Sequence, residues 1–303
     1  MRGGFCGARI HPDCLRIDNR GTVRVSLSAT AQTWFETIAQ FGEVLHLTRN
    51  PVAVLGRLGR LPMLDNWQNK ALPLPRDGNT RLMPNLAEYA SLWAFSETSP
   101  LGVVHGLEVR DVSGVVFERV LLPVGANHEL FTKFVINYQS PPEEAGSWLS
   151  PNHAASASRR ATLAGRIPLL RSQWSTGDRN VRRLSPRFVP HLLAAAATAK
   201  LQLRTSYYHP ALTSTVNWTP EAGGETKCGK ALPEFFHGNE VSLHLHRPAI
   251  GSVWLWKGNC ACCAGQNWAV EVADTLDQVN LAFMAGADTR ESDWRELLKA
   301  SLP

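Results

Sequence analysis

The sequence predicts an α+β fold built twice: two halves, each an antiparallel β-sheet flanked by helices, with the sheets stacked. In each half a helix precedes a set of strand-like runs, and a further helix closes them. The run S-L-W-A-F around Trp93 recurs as S-V-W-L-W around Trp254. L-E-V-R-D, ending at Asp111, recurs as V-E-V-A-D, ending at Asp274. Order and spacing both repeat at an offset of roughly 160 residues, which is how a duplicated unit shows itself.

The first helix is expected from Ala31 to Phe41, capped by Thr30, with Trp34, Ile38 and Phe41 on one face. Strand-like runs follow at Glu43 to Leu47, Val52 to Leu55 and Leu92 to Phe95. A hairpin then joins Val103–Arg110 to Val115–Pro123 through Asp111-Val112-Ser113-Gly114. Ala126 to Tyr138 has helical spacing, and the Pro/Glu/Gly-rich stretch from Ser140 to Gly146 reads as a linker. Trp148 to Arg183 is polar and basic with weak periodicity. Helix returns at Pro186 to Lys200, where Pro190 predicts a late start or a kink. Strands are expected at Leu201–Tyr208, Ser214–Trp218, Val241–His246, Ser252–Trp256, Trp268–Val272 and Val279–Phe283. A final helix runs from Glu291 to Leu298. The expected division is a first repeat over 1–139 with a short N-terminal extension (1–29), a linker and connecting helical segment over 140–184, and a second repeat over 185–303.

Composition narrows the function. No stretch reaches the roughly 18 apolar residues of a membrane helix, and the first residues have no apolar core of a secretory signal. A cytoplasmic protein without membrane insertion is therefore expected. The six cysteines, Cys6, Cys14, Cys228, Cys260, Cys262 and Cys263, are expected as free thiols. C-A-C-C is too tight for a zinc knuckle, and no C-x-x-C-H offers covalent haem attachment. GxGxxG, Walker A and H-E-x-x-H motifs are absent. The net charge of +5 favours an anionic partner without naming it.

Four segments carry a family resemblance. F-G-E-V-L-H-L-T-R-N-P-V-A-V (41–54) is similar to a first strand pair in which G-E-V leads into T-R-N-x-x-A-V. Residues 106–122 resemble a hairpin S-L-Q-F-F-D-x-x-G-x-A-V-H-K-V-Y-L. Residues 241–257 resemble F-N-L-H-L-x-x-x-x-I-A-x-V-W-V-x-R-K. D-W-R-E-L-L (293–298) resembles a W-R-x-L ending. Together they resemble the hemin-degrading factor family of bacterial haem uptake (the HemS, ChuS and HmuS type), from about Gln32 to Leu298.

The resemblance implies one haem in a cleft of the second repeat, and a role in haem uptake and iron acquisition. It implies His153, which follows S-W-L-S-P-N after the linker, as axial ligand of the haem iron. Arg81 in T-R-L-M-P stands where the family has its distal arginine, which would serve catalysis as well as binding. Lys257, Arg182 and Arg183 are the cations for the propionates, and Phe283 keeps the aromatic contact of the last strand. The disc would pack on Trp254, Phe283 and Trp268. Haem degradation with external reductant and oxygen, or storage and delivery, would both fit. A haem-uptake transporter or a haem-receiving protein would be the partner.

Other readings stay open on the residues. His191 is the fallback ligand. His244 and His246 alternate on one strand and could take a metal, and so could the Cys260, Cys262, Cys263 cluster. The rival from another class is a haem-free interaction or nucleic-acid-binding protein that keeps the fold, supported by Arg159, Arg160, Arg166, Arg171, Arg179, Arg182 and Arg183 and by ten tryptophans. Against it, Trp93 and Trp254 lie in apolar strands and read as core, so nucleic acid is the less expected partner.

Overall fold

The computed structural model describes residues 23–61, 80–85, 88–99, 102–123, 126–140, 165–225, 234–238, 240–259 and 266–302. The first half contains β1 (Val23–Leu27), α1 (Ala31–Ile38), β2 (Glu43–Arg49), β3 (Ala53–Arg60), β4 (Thr80–Pro84), β5 (Ser91–Ser99), β6 (Gly102–Arg110), β7 (Val116–Leu122) and α2 (His128–Tyr138). The second contains α3 (165–175), β8 (Val181–Leu184), α4 (Phe188–Ala199), β9 (Leu203–His209), β10 (Leu212–Trp218), β11 (Ala222–Glu225) and β12 (Glu234–Gly238). It continues with β13 (Val241–Leu245), β14 (Ile250–Asn259), β15 (Gln266–Asp274), β16 (Val279–Ala285) and α5 (Glu291–Ala300).

Local chemistry sets the helix starts. The Thr30 side chain accepts the Thr33 N–H ahead of α1, and Asn127 accepts the Leu130 N–H ahead of α2. α4 starts late, at Phe188, which places Pro190 in the first turn. The missing N–H costs nothing there, because first-turn donors have no intrahelical partner.

All strand pairs are antiparallel, in a nine-stranded sheet I, β1-β5-β6-β7-β2-β3-β13-β12-β11, and a seven-stranded sheet II, β4-β10-β9-β16-β15-β14-β8. The order β1-β5-β6-β7-β2-β3 of sheet I recurs in sheet II as β8-β14-β15-β16-β9-β10. Each sheet is then completed by the other half: β13, β12 and β11 continue from β3, and β4 continues from β10. The duplication is thus a reciprocal exchange of strands.

The echo persists in side-chain detail. Trp93 Nε1 donates to Ser91 Oγ at 3.0 Å, and Trp254 Nε1 donates to Ser252 Oγ at 3.0 Å. Asp111 Oδ1 accepts the N–H groups of Ser113 and Val115, and Asp274 Oδ1 accepts those of Leu276 and Gln278. Both turns are closed by an aspartate that mimics a backbone carbonyl.

The inner faces of the sheets and their helices form two large cores. Sheet II packs Val253, Val270, Leu281 and Phe283 on Leu192 of α4 and Trp294 of α5, and meets Leu55 and Leu243 of sheet I. Sheet I packs Leu107 and Val120 on Trp34 of α1 and Phe134 of α2, and meets Leu82 and Leu212 of sheet II.

Within the first of these cores Tyr207 is wholly buried, and its hydroxyl has no hydrogen-bond partner among the described residues. Burial pushes the phenol well above its ordinary pKa, with Arg49 acting the other way. A buried hydroxyl without a partner costs about 1–3 kcal/mol. Tyr207→Phe is therefore expected to leave the urea midpoint unchanged or raise it; a clear fall would mean that the hydroxyl is satisfied.

Candidate functional site

The outer faces of the two sheets differ, and strand register allows a position-by-position comparison. In the first half one row across the sheet reads Ser242–Gly56–Leu47–Arg119–Glu108–Trp93–Ser26. The equivalent row of the second half reads Arg81–Thr215–Ser206–Ala282–Glu271–Trp254–Arg183.

The first-half row is filled by a buried ion network. Arg119 Nη2 donates to Glu97 at 2.9 Å, its Nε lies 3.5 Å from Glu108, and its guanidinium sits 3.9 Å from the centre of the Phe95 ring. Arg24 and Arg110 both donate to the same oxygen of Glu108, at 2.9 and 2.7 Å. Around it pack Leu45, Leu47, Leu58, Leu121 and Phe235.

The second half keeps the tryptophan and the glutamate and loses the plug. Ala282 stands for Arg119 and Ser206 for Leu47; both are buried. Ser206 and Thr215 hydroxyls lie 3.2 Å apart, and Arg204 Nε donates to Asn217 at 3.3 Å on the neighbouring row. Met284 and half-buried Tyr208 lie on the same face and belong to the apolar cluster that includes Trp254 and Trp256. α3 covers part of the face, with Ile167 and Leu170 in that cluster. Its Arg166 lies 3.9 Å over the Trp256 ring and pairs with Glu271 at 3.2 Å. Burial raises the Glu271 carboxyl above the ordinary carboxylate range, with Arg166 opposing. Trp256 lies across Gly258, where an added Cβ would sit 2.1 Å from the ring, so only glycine fits.

The expected site residues divide between the two faces. Register puts Arg81 and Arg183 on the outer face of sheet II, opposite Thr215 and Trp254. Arg182 pairs with Leu255, on the other face, and Lys257, half-buried, shares that alternation opposite Trp268. Phe283 is fully buried there in the core with α4 and α5. Phe283 and Trp268 therefore lie on the opposite face from Arg81, whereas Trp254 is on its side. His153 and all six cysteines lie outside the described residues. His191 is exposed on α4. Sequence reading missed Arg204, Ser206, Thr215 and Ala282, because small and polar residues on a strand carry no signal until the equivalent row shows what they replace.

A separate cleft of about 1080 Å³ lies where the turns of both halves converge, lined in part by Arg49, Asp111, His209, His244, His246 and Asn280. His209 stacks on Phe117 at 4.7 Å, and its Nδ1 accepts the Ala211 N–H. Among the described residues no group of three or more His, Cys, Asp or Glu side chains, His244 and His246 included, is placed to hold a metal ion.

By sequence the chain matches no protein-family profile and no curated protein. By structure it is similar to ChuS, a haem-degrading enzyme of Escherichia coli O157:H7, with a TM-score of 0.73 at 15% identity over 92% of this chain and 87% of that one. It is also similar to holo-PhuS, a haem-binding protein of Pseudomonas aeruginosa, with a TM-score of 0.71 at 17% identity over 91% of this chain and 86% of that one. Over nearly its whole length, then, the chain has the fold of ChuS and PhuS.

Proposed function

We propose that the chain binds one haem on the outer face of sheet II and handles it in cytoplasmic haem uptake and iron acquisition. One observation carries this reading: where the first half fills its outer face with Leu47 and Arg119, the second places Ser206 and Ala282. Serine is shorter than leucine and alanine far shorter than arginine, so the second half puts less side chain on this face, in a row that also holds Arg81 and beside Arg204. The likeness to ChuS and PhuS supplies the ligand class.

The residues suit a porphyrin. Met284, Tyr208 and Ala282 offer apolar contact to the disc. Arg204 and Arg183 are cations for the two propionates, and Arg guanidinium pairs with carboxylate through two parallel hydrogen bonds. Lys257 and Arg182 stand on the other face, so they reach a propionate only around the end or edge of the sheet. No described histidine lies on this face; His153 precedes α3, the element packed on it, and is the proposed axial ligand. Arg81, opposite Thr215, is the proposed hydrogen-bond donor on the iron's other side. Haem, when bound, supplies iron and its oxidative chemistry, and the protein supplies orientation and hydrogen bonds. Phe283 supports the sheet from beneath.

The test is a titration with ferric haem followed by the Soret band, on wild type and His153→Ala. Wild type is expected to saturate near one haem per chain, with His153→Ala shifted in spectrum and weaker in affinity. Only the broad spectrum of free haem with wild type would end the haem reading, and identical spectra would move the ligand away from His153.

A further inference from the structure

We propose that the outer edge of β8 is a docking site for an extended, acidic segment of a partner protein, which adds to sheet II as a further strand. This inference rests on the internal repeat and not on haem binding, and because the haem reading also uses Arg183, the peptide is tested on the haem-free chain.

Among the described residues β8 is the last strand of sheet II and pairs only with β14. Lys257 N–H donates to Asn180 C=O at 2.9 Å, which fixes the ladder. Hydrogen-bonded pairs alternate along antiparallel strands. Arg182 and Leu184 therefore spend their backbone groups on β14, while Val181 and Arg183 direct theirs outward. The Val181 N–H is taken by Asp178 C=O. The Arg183 N–H and C=O have no partner among the described residues.

The first half shows what completes such an edge. β1 occupies the place of β8, and Ser26 the place of Arg183. There the segment after α2 runs antiparallel along the edge. Ser140 N–H donates to Ser26 C=O at 3.0 Å, and Ser28 N–H donates to Tyr138 C=O at 2.7 Å. Leu27 bridges Gln139, and Ser26 Oγ donates to Ser140 C=O. At β8 no described segment takes this role.

Charge selects the occupant. Arg179, Arg182, Arg183 and Arg187 are all exposed, and none is in an ion pair among the described residues. Arg182 and Arg183 project to opposite faces of the strand, so an incoming strand meets a cation above and below. The same arginines oppose a second copy of the chain, because antiparallel pairing of two β8 edges sets arginine against arginine. A strand bearing glutamate or aspartate on both faces meets the backbone and the charge together.

The experiment uses a labelled synthetic peptide of glutamate and valine, with binding to the full chain read by fluorescence anisotropy. Two versions are N-methylated at alternate residues, so that each blocks one edge of the peptide. One is expected to lose at least about tenfold in affinity and the other to bind like the parent. A lysine-valine peptide should not bind. Arg183→Pro removes the outward N–H but none used by β14, and should weaken the parent peptide by at least about tenfold. The double variant Arg179→Glu, Arg187→Glu should do the same through charge alone. No binding by the parent peptide overturns the proposal. So does equal binding by both methylated forms, which would make the patch a diffuse electrostatic surface. Displacement of the peptide by duplex DNA, with binding indifferent to Arg183→Pro and to methylation, would assign the patch to a polyanion instead.

Discussion

Replacing Arg119 by alanine is expected to destabilise the fold by about 3–5 kcal/mol, the usual cost of removing one member of a buried ion pair. Arg119 holds Glu97 through two contacts, at 2.9 and 3.4 Å, and both side chains are nearly inaccessible. Glu108 survives the change, because Arg24 and Arg110 still donate to it. Glu97 does not, and a carboxylate left buried and unpaired must keep its charge or take up a proton. Replacing the pair together, Arg119→Met with Glu97→Leu, removes both charges and should be much closer to wild type. The second half is a natural precedent, with Ala282 and Gly258 at these two positions. Urea unfolding of the three proteins tests this: Arg119→Ala within about 1 kcal/mol of wild type would mean that the network is not closed.

The repeated motifs were legible in sequence because they carry local chemistry. A tryptophan bonded to a serine two residues earlier, and an aspartate closing its own turn, leave the same short string in each half. The exchange of β4 and β13 between sheets was not legible, since strand alternation records two faces and says nothing of which strand lies alongside. T-R-L-M-P was not among the expected strands and is an edge strand, β4, ending at Pro84. α3 falls in the stretch expected to hold a connecting helical segment, but its bounds were not legible, because it carries Pro168 in its first turn and only Ile167 and Leu170 as fully buried aliphatics. β8 hid because half of it is arginine. Phe283 was placed beside the haem by the family resemblance alone; V-N-L-A-F-M-A is buried almost throughout, and a strand buried on both sides gives no face to read from sequence. A one-residue slip, such as the irregularity between Val272 and Ala273, then exchanges the two faces.

If the second half binds haem where the first half is plugged, restoring the plug should expel it. Ser206→Leu copies the residue at the equivalent first-half position, and Ala282→Leu puts a branched side chain where Arg119 stands there. Each is expected to weaken haem binding by about a hundredfold or more, which is about 2.7 kcal/mol. The disc would have to rise from this face and lose contact with Met284 and Tyr208. Overpacking costs about 1–3 kcal/mol of stability, so circular dichroism and urea midpoints must accompany the titration and show a folded chain. Leu47→Met, at the matching place in the first half, is the control and should leave haem affinity unchanged. The outcomes separate ligand from location. If His153→Ala loses haem while Ser206→Leu and Ala282→Leu bind like wild type, the axial ligand is right but the disc does not lie on this face. If all three bind like wild type, haem sits elsewhere, and the difference between the two outer faces serves packing alone.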